Sequence, residues 1–340
     1  MRFAHFTIVI TAAGCSAPSD ILEESRWSRD TVNASFDLVL DLTTGTDATP
    51  DIGRPIHVRS TDSLMFIADR GNDRVAVIDA RGHIQRWIGA QGRGPGEILG
   101  IAHLAIRSGE LFVAEALNGR VSQFTLEGSF IRAYLSPFAA GAIGATNSAV
   151  FAAARSQTHY AMRLENSAEP RRMFRRTRLQ RQNLSERWRM LPGHDLIAAD
   201  SSQLWILDQG TALLCAYVPP RQTGTCRALP HTLVERLGRY RDERVAAFEA
   251  STPVAVQAAP IAKDMLLVGG YVALLLPLPD LPVVLIDVAD GAVTPLIHSS
   301  DPIPLWARGA TSFAWDGRSF VLVSDDGIGR LHISRPLILD

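Results

Sequence analysis

The chain has 340 residues, of which 46% are hydrophobic and 20% are charged. This apolar content is enough for a large buried core and excludes overall disorder. The formal net charge of −1 gives no reason to expect nucleic acid as a partner. Lys263 is the only lysine, which argues against an enzyme that uses a lysine nucleophile.

The N-terminus has the features of an export signal. One positive charge, at Arg2, is followed by a short apolar run and by the small residues 12–14, directly before Cys15. The run is shorter than the ~20 residues that a membrane-spanning helix needs, so we predict a signal peptide over residues 1–14. The segment resembles a bacterial lipobox, which implies cleavage before Cys15 and acylation of that cysteine. If Cys15 is acylated, Ser16 at the next position favours placement of the lipoprotein at the outer rather than the inner membrane. The alternative is a cytosolic strand with an incidental cysteine.

Residues 15–34 are predicted to form a polar tether, and residue 35 is predicted to begin the folded domain. One strand, over 35–42, precedes a repeated pattern. The segments Ile67–Val75 and Val113–Val121 begin 46 residues apart, and each combines an apolar run, an acidic residue, a polar turn with Asn, and an arginine. A period of about 40–50 residues is typical of repeat folds, here one built from short strands.

The same residue types recur at two positions of this pattern. The carboxylates are Asp69, Glu115, Asp208 and Asp325, and the arginines are Arg74, Arg120 and Arg330. A catalytic carboxylate is expected once, whereas a carboxylate that binds turn N–H groups and a nearby arginine can recur in every repeat. We therefore interpret both sets as structural.

Residues 55–135 contain two complete sets of four short strands, joined by a glycine-rich loop at 89–97. A phosphate-binding loop would lead into a helix, but this one leads into a strand. The loop and the turn at 113–121 resemble the bacterial six-bladed β-propeller family, which is related to NHL-repeat propellers and common among secreted lipoproteins. This resemblance implies an all-β, six-bladed propeller over residues 35–340. It implies little about activity, because most members of the family have none assigned.

The last blade lacks an outer strand after Ile333, and we expect the N-terminal strand to supply it and close the ring. The third blade is degraded and leads into an arginine-rich segment. Its arginines are either an anion or partner face, or a solvated outer strand. The candidate face comprises Arg171, Arg172, Arg175, Arg176 and Arg178.

Two further features interrupt the repeats. Cys215 and Cys226 flank a turn-rich segment, so they are either a disulfide across a hairpin or two buried thiols. The helical period of 232–249 predicts an inserted amphipathic helix, which packs on one rim of the ring or binds a partner.

Three histidines are candidate channel residues. His57 and His103 each lie 12 residues before the acidic residue of their repeat (57 to 69, 103 to 115), in the innermost strand, and His194 is expected nearby. A metal would need a third ligand, but the corresponding residues of blades four and six are Leu196 and Phe313. Polar lining of the channel is therefore favoured over a metal or ligand site, and no cofactor is expected.

These features predict a monomeric propeller of the bacterial cell envelope, anchored to the outer membrane on its periplasmic side by lipid alone. The expected role is non-enzymatic binding of a small molecule, peptide or protein at the channel mouth. One alternative is a metal-dependent hydrolase resembling gluconolactonase-like lactonase propellers. Another is a scaffold for envelope protein complexes that uses the arginine-rich face and the inserted helix.

Overall fold

The computed structural model of the chain describes residues 23–29, 32–41, 52–136, 138–153, 159–164, 171–175, 195–219, 224–251, 260–298 and 303–333. Two strands precede the repeats, β1 (Glu23–Glu24) and β2 (Val32–Asp41). Blade I consists of β3 (Pro55–Ser60), β4 (Leu64–Asp69), β5 (Arg74–Asp79) and β6 (Ile84–Ile88). Blade II consists of β7 (Ile101–Arg107), β8 (Glu110–Glu115), β9 (Arg120–Thr125) and β10 (Phe130–Leu135).

The remaining blades follow the same antiparallel order. Blade III has β11 (Ile143–Ala145), β12 (Val150–Ala153), β13 (His159–Leu164) and β14 (Arg171–Arg175). Blade IV has β15 (Leu196–Ala199), β16 (Leu204–Asp208), β17 (Leu213–Tyr217) and β18 (Thr225–Ala228). Blade V has β19 (Asp264–Val268), β20 (Tyr271–Leu275), β21 (Val283–Asp287) and β22 (Val293–His298). Blade VI has β23 (Ser312–Trp315), β24 (Ser319–Ser324) and β25 (Gly327–Ile333).

The six inner strands form a closed ring, because each contacts the inner strand of the next blade and β23 contacts β3. The second strands are almost wholly buried, since neighbouring blades cover both of their faces. The core accordingly lies between blades. Phe66 of blade I and Phe124 of blade II, for example, belong to one buried cluster.

The N-terminal strand β2 completes blade VI, as predicted. It pairs antiparallel with β25, with Phe36 opposite Leu331, and its first residues pair parallel with β22 of blade V. This covers the edge that β25 would otherwise expose. The strand β1 also pairs in parallel with β18 of blade IV. Residues 23–24 and 32–34 are therefore part of the sheets, and the predicted tether 15–34 is too long at its C-terminal end.

The disulfide and the inserted helix are both confirmed. Cys215 and Cys226 lie opposite each other on β17 and β18 and are covalently joined. The helix α1 (His231–Ser251) lies between blades IV and V in the sequence and buries Leu233 and Leu237. A short helix, α2 (Leu305–Arg308), precedes blade VI. Within the described segments, no helix has the length and apolar character needed to cross a membrane.

Candidate functional site

The inner strands bring His57 and His103 side by side in the channel. Both imidazoles are buried, and their ring centroids are 3.8 Å apart. In each blade the register between the first two strands shifts just before the histidine, between Pro55 and His57 and between Ile101 and His103. A bulge of this kind re-aims the side chain that follows it, and its presence in both blades gives the two imidazoles equivalent positions. His194 lies outside the described residues.

A carboxylate that the sequence analysis missed completes this group. Asp264, the first residue of β19, is buried, and its Oδ2 lies 3.5 Å from Nε2 of His57. The potential ligand atoms of His57, His103 and Asp264 all lie within 4.8 Å of one another. Comparing the first strand of blade V with those of blades I and II would have placed this aspartate at the level of the histidines.

Arg59 holds the Asp264 carboxylate with a two-point contact. Its Nη1 donates to Oδ2 at 2.8 Å, and its Nη2 donates to Oδ1 at 3.0 Å. The backbone N–H groups of Met265 and Phe313 and the hydroxyl of Ser312 also donate to this carboxylate. Burial by itself raises the pKa of Asp264, but Arg59 and the hydrogen bonds hold that pKa well below its usual range. Asp264 is therefore ionised, and both of its carboxylate oxygens accept hydrogen bonds.

Both histidines are neutral and carry their proton on Nε2. Nδ1 of His57 accepts from the backbone N–H of Leu104 at 3.2 Å, and Nδ1 of His103 accepts from that of Ile143 at 3.4 Å. A nitrogen that accepts a hydrogen bond keeps its lone pair, which leaves the ring proton on Nε2. Burial lowers the pKa of His57 to about 4. Burial lowers the pKa of His103 well below its ordinary value, and the charge of Arg59 and the charge that His57 would carry when protonated act in the same direction.

These hydrogen bonds do not fit a metal ion. A histidine that binds a metal through Nε2 usually donates a proton from Nδ1 to an acceptor. Here Nδ1 of His57 and of His103 faces a donor instead. The charge of Asp264 is also compensated by Arg59. Histidine and aspartate are common metal ligands. The protonation of these two histidines and the pairing of Asp264 with Arg59 nevertheless do not suit a metal ion.

The same side chains link neighbouring blades at one level of the channel. Through the bonds already described, His57 links blade I to II, His103 links II to III, and Asp264 links V to VI. Ser312 links blade VI to I by accepting the N–H of Val58 at 3.1 Å. We call His57, His103, Asp264 and Ser312 the inter-blade girdle. In blade VI its member is Ser312, so the expectation that Phe313 occupies this position is corrected.

Beside the girdle the channel widens into a cavity of about 210 Å³, the channel cavity. All six inner strands contribute to its wall, among them through Arg59, Ala105, Ala145, Ala199, Leu266 and Trp315. Arg59 is the one charged residue among the described lining residues, and the wall is otherwise mostly aliphatic. No described residue accepts a hydrogen bond from the indole N–H of Trp315.

The recurring carboxylates of blades I and II bind backbone rather than facing the channel cavity. Asp69 accepts the N–H groups of Gly53 and Arg54, and its carboxylate lies 3.6 Å from Arg74. Glu115 pairs with Arg120 at 3.0 Å. Each carboxylate is completely buried at the end of a second strand. Together with its arginine it anchors the loop that enters the blade.

The glycine-rich loop is held by the second of these pairs. Glu115 accepts the N–H of Leu99, and Arg120 donates to the carbonyl oxygens of Arg93, Gly94 and Glu97. Arg120 thus contacts the loop at three carbonyl oxygens. We therefore interpret the loop as a structural element and not as a phosphate-binding loop.

Blades IV and VI depart from this pattern. Asp208 is buried and accepts the N–H of Gly210. In blade VI, Ser324 ends the second strand in the position of Asp69, while Asp325 lies exposed in the turn. Arg330 pairs with Asp316 at 3.0 Å. The predicted equivalence of Asp325 and Arg330 with the earlier pairs is therefore wrong, because the β24–β25 turn is shorter.

The other predicted surface features are only partly described. Arg171, Arg172 and Arg175 lie on β14, the outer strand of blade III. Arg176, Arg178 and Cys15 lie outside the described residues.

Residues 34–180 match a family model described as a 6-bladed beta-propeller. No curated protein sequence matches the chain. Among solved structures, virginiamycin B lyase from Staphylococcus aureus is 13% identical with a TM-score of 0.54, and the match covers 88% of this chain and 99% of that one. A Bacteroides fragilis protein described as exported is 10% identical with a TM-score of 0.52, covering 92% and 98%. Identities this low show a shared fold and no shared activity. The chain is a six-bladed β-propeller similar to these bacterial proteins.

Proposed function

We propose that this propeller is a non-enzymatic binding protein that takes a small molecule, or the end of a larger one, into the channel cavity. The observation that carries the proposal is the convergence of six inner strands on one mostly aliphatic cavity, whose described lining includes one guanidinium group, that of Arg59. Its volume of about 210 Å³ is below the ~300–1,000 Å³ of typical ligand pockets, so the ligand is small or enters only in part.

The walls define the chemistry of that ligand. Arg59 is neutralised by Asp264, so the cavity favours an uncharged group over an anion. A hydrogen-bond acceptor on the ligand can meet the Arg59 guanidinium, and its apolar part can pack against aliphatic residues. An uncharged, mostly apolar compound with one acceptor fits best.

A metal-dependent hydrolase has less support. Such an enzyme needs ligands with free lone pairs in the channel, and those of His57, His103 and Asp264 are engaged in hydrogen bonds. The scaffold alternative would use the face around β14 and the helix α1, for which the described contacts provide no specific support.

An extracytoplasmic location is supported by the disulfide, because such bonds persist in oxidising compartments. The similarity to an exported Bacteroides protein agrees with it. Lipid attachment at Cys15 and placement at the outer membrane extend this proposal.

Native mass spectrometry of the full chain, purified from the envelope, tests the binding proposal. We expect a non-covalent adduct that resists a chelator. Ala199→Leu, which fills part of the channel cavity, should remove the adduct, while Ala133→Leu on the outer strand β10 should retain it. A bare mass for the wild-type chain would contradict the proposal, and so would an adduct that the chelator removes.

A further inference from the structure

A second cavity, of about 300 Å³, opens between blades II and III. It shares no lining residue with the channel cavity. Its walls come from strands β7, β8, β9, β10, β12 and β13 and from the β7–β8 and β11–β12 turns. We call it the II–III cleft, and its polar lining includes Arg107, Gln123, Arg132, Tyr134, Asn147 and Arg163.

The cleft concentrates positive charge. Among the described lining residues, three are arginines and one, Glu110, is a carboxylate, so positive charges outnumber negative ones. The whole chain has a formal net charge of −1. The excess of positive charge is therefore local, and it creates a potential that attracts an anion.

Two of the arginines are positioned through neutral partners. Nε of Arg107 donates to the amide oxygen of Asn147 at 2.8 Å, and Nε of Arg132 donates to that of Gln123 at 2.8 Å. Within the described part of the chain, no carboxylate pairs with either guanidinium, and Arg132 also lies over the Tyr134 ring, with its central carbon 5.3 Å from the ring centroid. Each arginine is thus oriented through its Nε, keeps its charge and presents two terminal nitrogens in the fork geometry that matches an oxyanion.

A buried polar layer fixes one of these arginines. Gln123 is 2% exposed, and its Oε1 also accepts the hydroxyl of Tyr134 at 3.0 Å. Because a guanidinium can only donate, the amide oxygen must face Arg132, and Nε2 of Gln123 becomes a further donor. No described residue accepts from that nitrogen. The cleft therefore presents hydrogen-bond donors from Arg107, Arg132 and Gln123, and contacts within the fold set their orientation.

Part of the wall is apolar, because Phe112, Val150 and Leu164 line the cleft beside its polar residues. A free phosphate would leave this surface uncovered, whereas an organic acid would cover it. We propose that the II–III cleft binds a small organic carboxylate, with its oxygens on Arg107 and Arg132 and its apolar body against this wall. The volume suits a molecule with one ring.

Titration calorimetry on the full chain tests this with benzoate, uncharged benzamide and inorganic phosphate. We expect benzoate to bind about tenfold or more tightly than benzamide, because bonds to charged donors are the stronger ones. Arg107→Gln and Arg132→Gln should each weaken benzoate binding by about tenfold. Arg81→Gln, at an exposed turn of blade I, makes the same charge change and should have no effect.

A further variant avoids loss of the fold. Asn147→Asp keeps an oxygen for Arg107 but places a negative charge in the cleft, so it should weaken benzoate binding while the melting temperature remains near wild type. Equal binding of benzoate and benzamide would overturn the proposal. Tighter binding of phosphate than benzoate would also overturn it, as would unchanged affinity in the three cleft variants.

Discussion

Nε2 of His57 lies 3.5 Å from Oδ2 of Asp264, which joins the inner strands of blades I and V across blade VI. Arg59, two residues after His57, binds the same carboxylate at two points. The first and fifth blades are thus coupled through a buried ion pair as well as through the ring of inner strands.

Removing the charge of Asp264 should destabilise the propeller strongly. Asp264→Asn leaves the Arg59 guanidinium buried without an anion, which costs about 3–5 kcal/mol in comparable cases. Urea unfolding measures this loss. Asp280→Asn is the matched control, because its pair with Arg236 is exposed and should contribute about 0–1 kcal/mol. An unfolding free energy of Asp264→Asn equal to that of the control would contradict a stabilising role for the buried Arg59–Asp264 ion pair.

The double variant Arg59→Met with Asp264→Leu tests the same ion pair. It removes both charges together, so we expect it to be less destabilised than Asp264→Asn alone. A double variant that is less stable than the single one would show that the carboxylate acts mainly through its other hydrogen bonds.

Stability should fall when the pH drops from 7 towards 4. Burial lowers the pKa of His57 to about 4 in the folded chain, compared with about 6.5 in the unfolded chain. Between these values the unfolded state binds more protons, so the contribution of neutral His57 is complete above pH ~6.5 and is lost as the pH falls towards ~4. His103 acts in the same direction.

Urea unfolding at several pH values in this range measures the effect. His57→Gln should reduce the slope of unfolding free energy against pH. His83→Gln changes an exposed histidine and should keep the slope. Equal slopes in the wild type and His57→Gln would contradict neutral burial of His57.

Reduction of the Cys215–Cys226 disulfide should cost about 2–4 kcal/mol, because it frees the hairpin in the unfolded chain. Melting with and without a reductant measures this. Thiol titration of the unreduced, denatured chain should find at most one free thiol, that of Cys15. Three free thiols in protein from an oxidising compartment would contradict the bond.

Glu115→Gln should loosen the glycine-rich loop. The buried carboxylate holds Arg120 and the N–H of Leu99, and weakening a buried, charged hydrogen-bond network costs about 1–3 kcal/mol. Hydrogen exchange over residues 89–97 should become faster. Asp325→Asn is the control, because Asp325 is exposed and should leave exchange in its own turn nearly unchanged. Unchanged exchange of the loop in Glu115→Gln would contradict this role.

Local patterns determined much of the fold. The repeat around Asp69 and Glu115 predicted blades I and II because their strands, turns and arginines follow one another closely in the chain. The same applies to the helix α1 and to the Cys215–Cys226 hairpin, whose interactions span few residues. The closing strand β2 was predictable for a different reason, since blade VI lacks an outer strand and a sheet edge needs a cover.

The propeller, its closure, the Cys215–Cys226 hairpin and the presence of histidines on the inner strands were therefore predictable from the sequence, whereas the disulfide was one of two alternatives until the structure showed the bond. The contacts of those histidines depend on the tertiary structure. Asp264 is 207 residues from His57 (57 to 264), and the bulges before His57 and His103 leave no marked pattern in the sequence. The II–III cleft likewise combines residues of six strands and two turns. Such groups form only when the ring closes, because blade packing and register, rather than neighbours in the chain, set the distances between them.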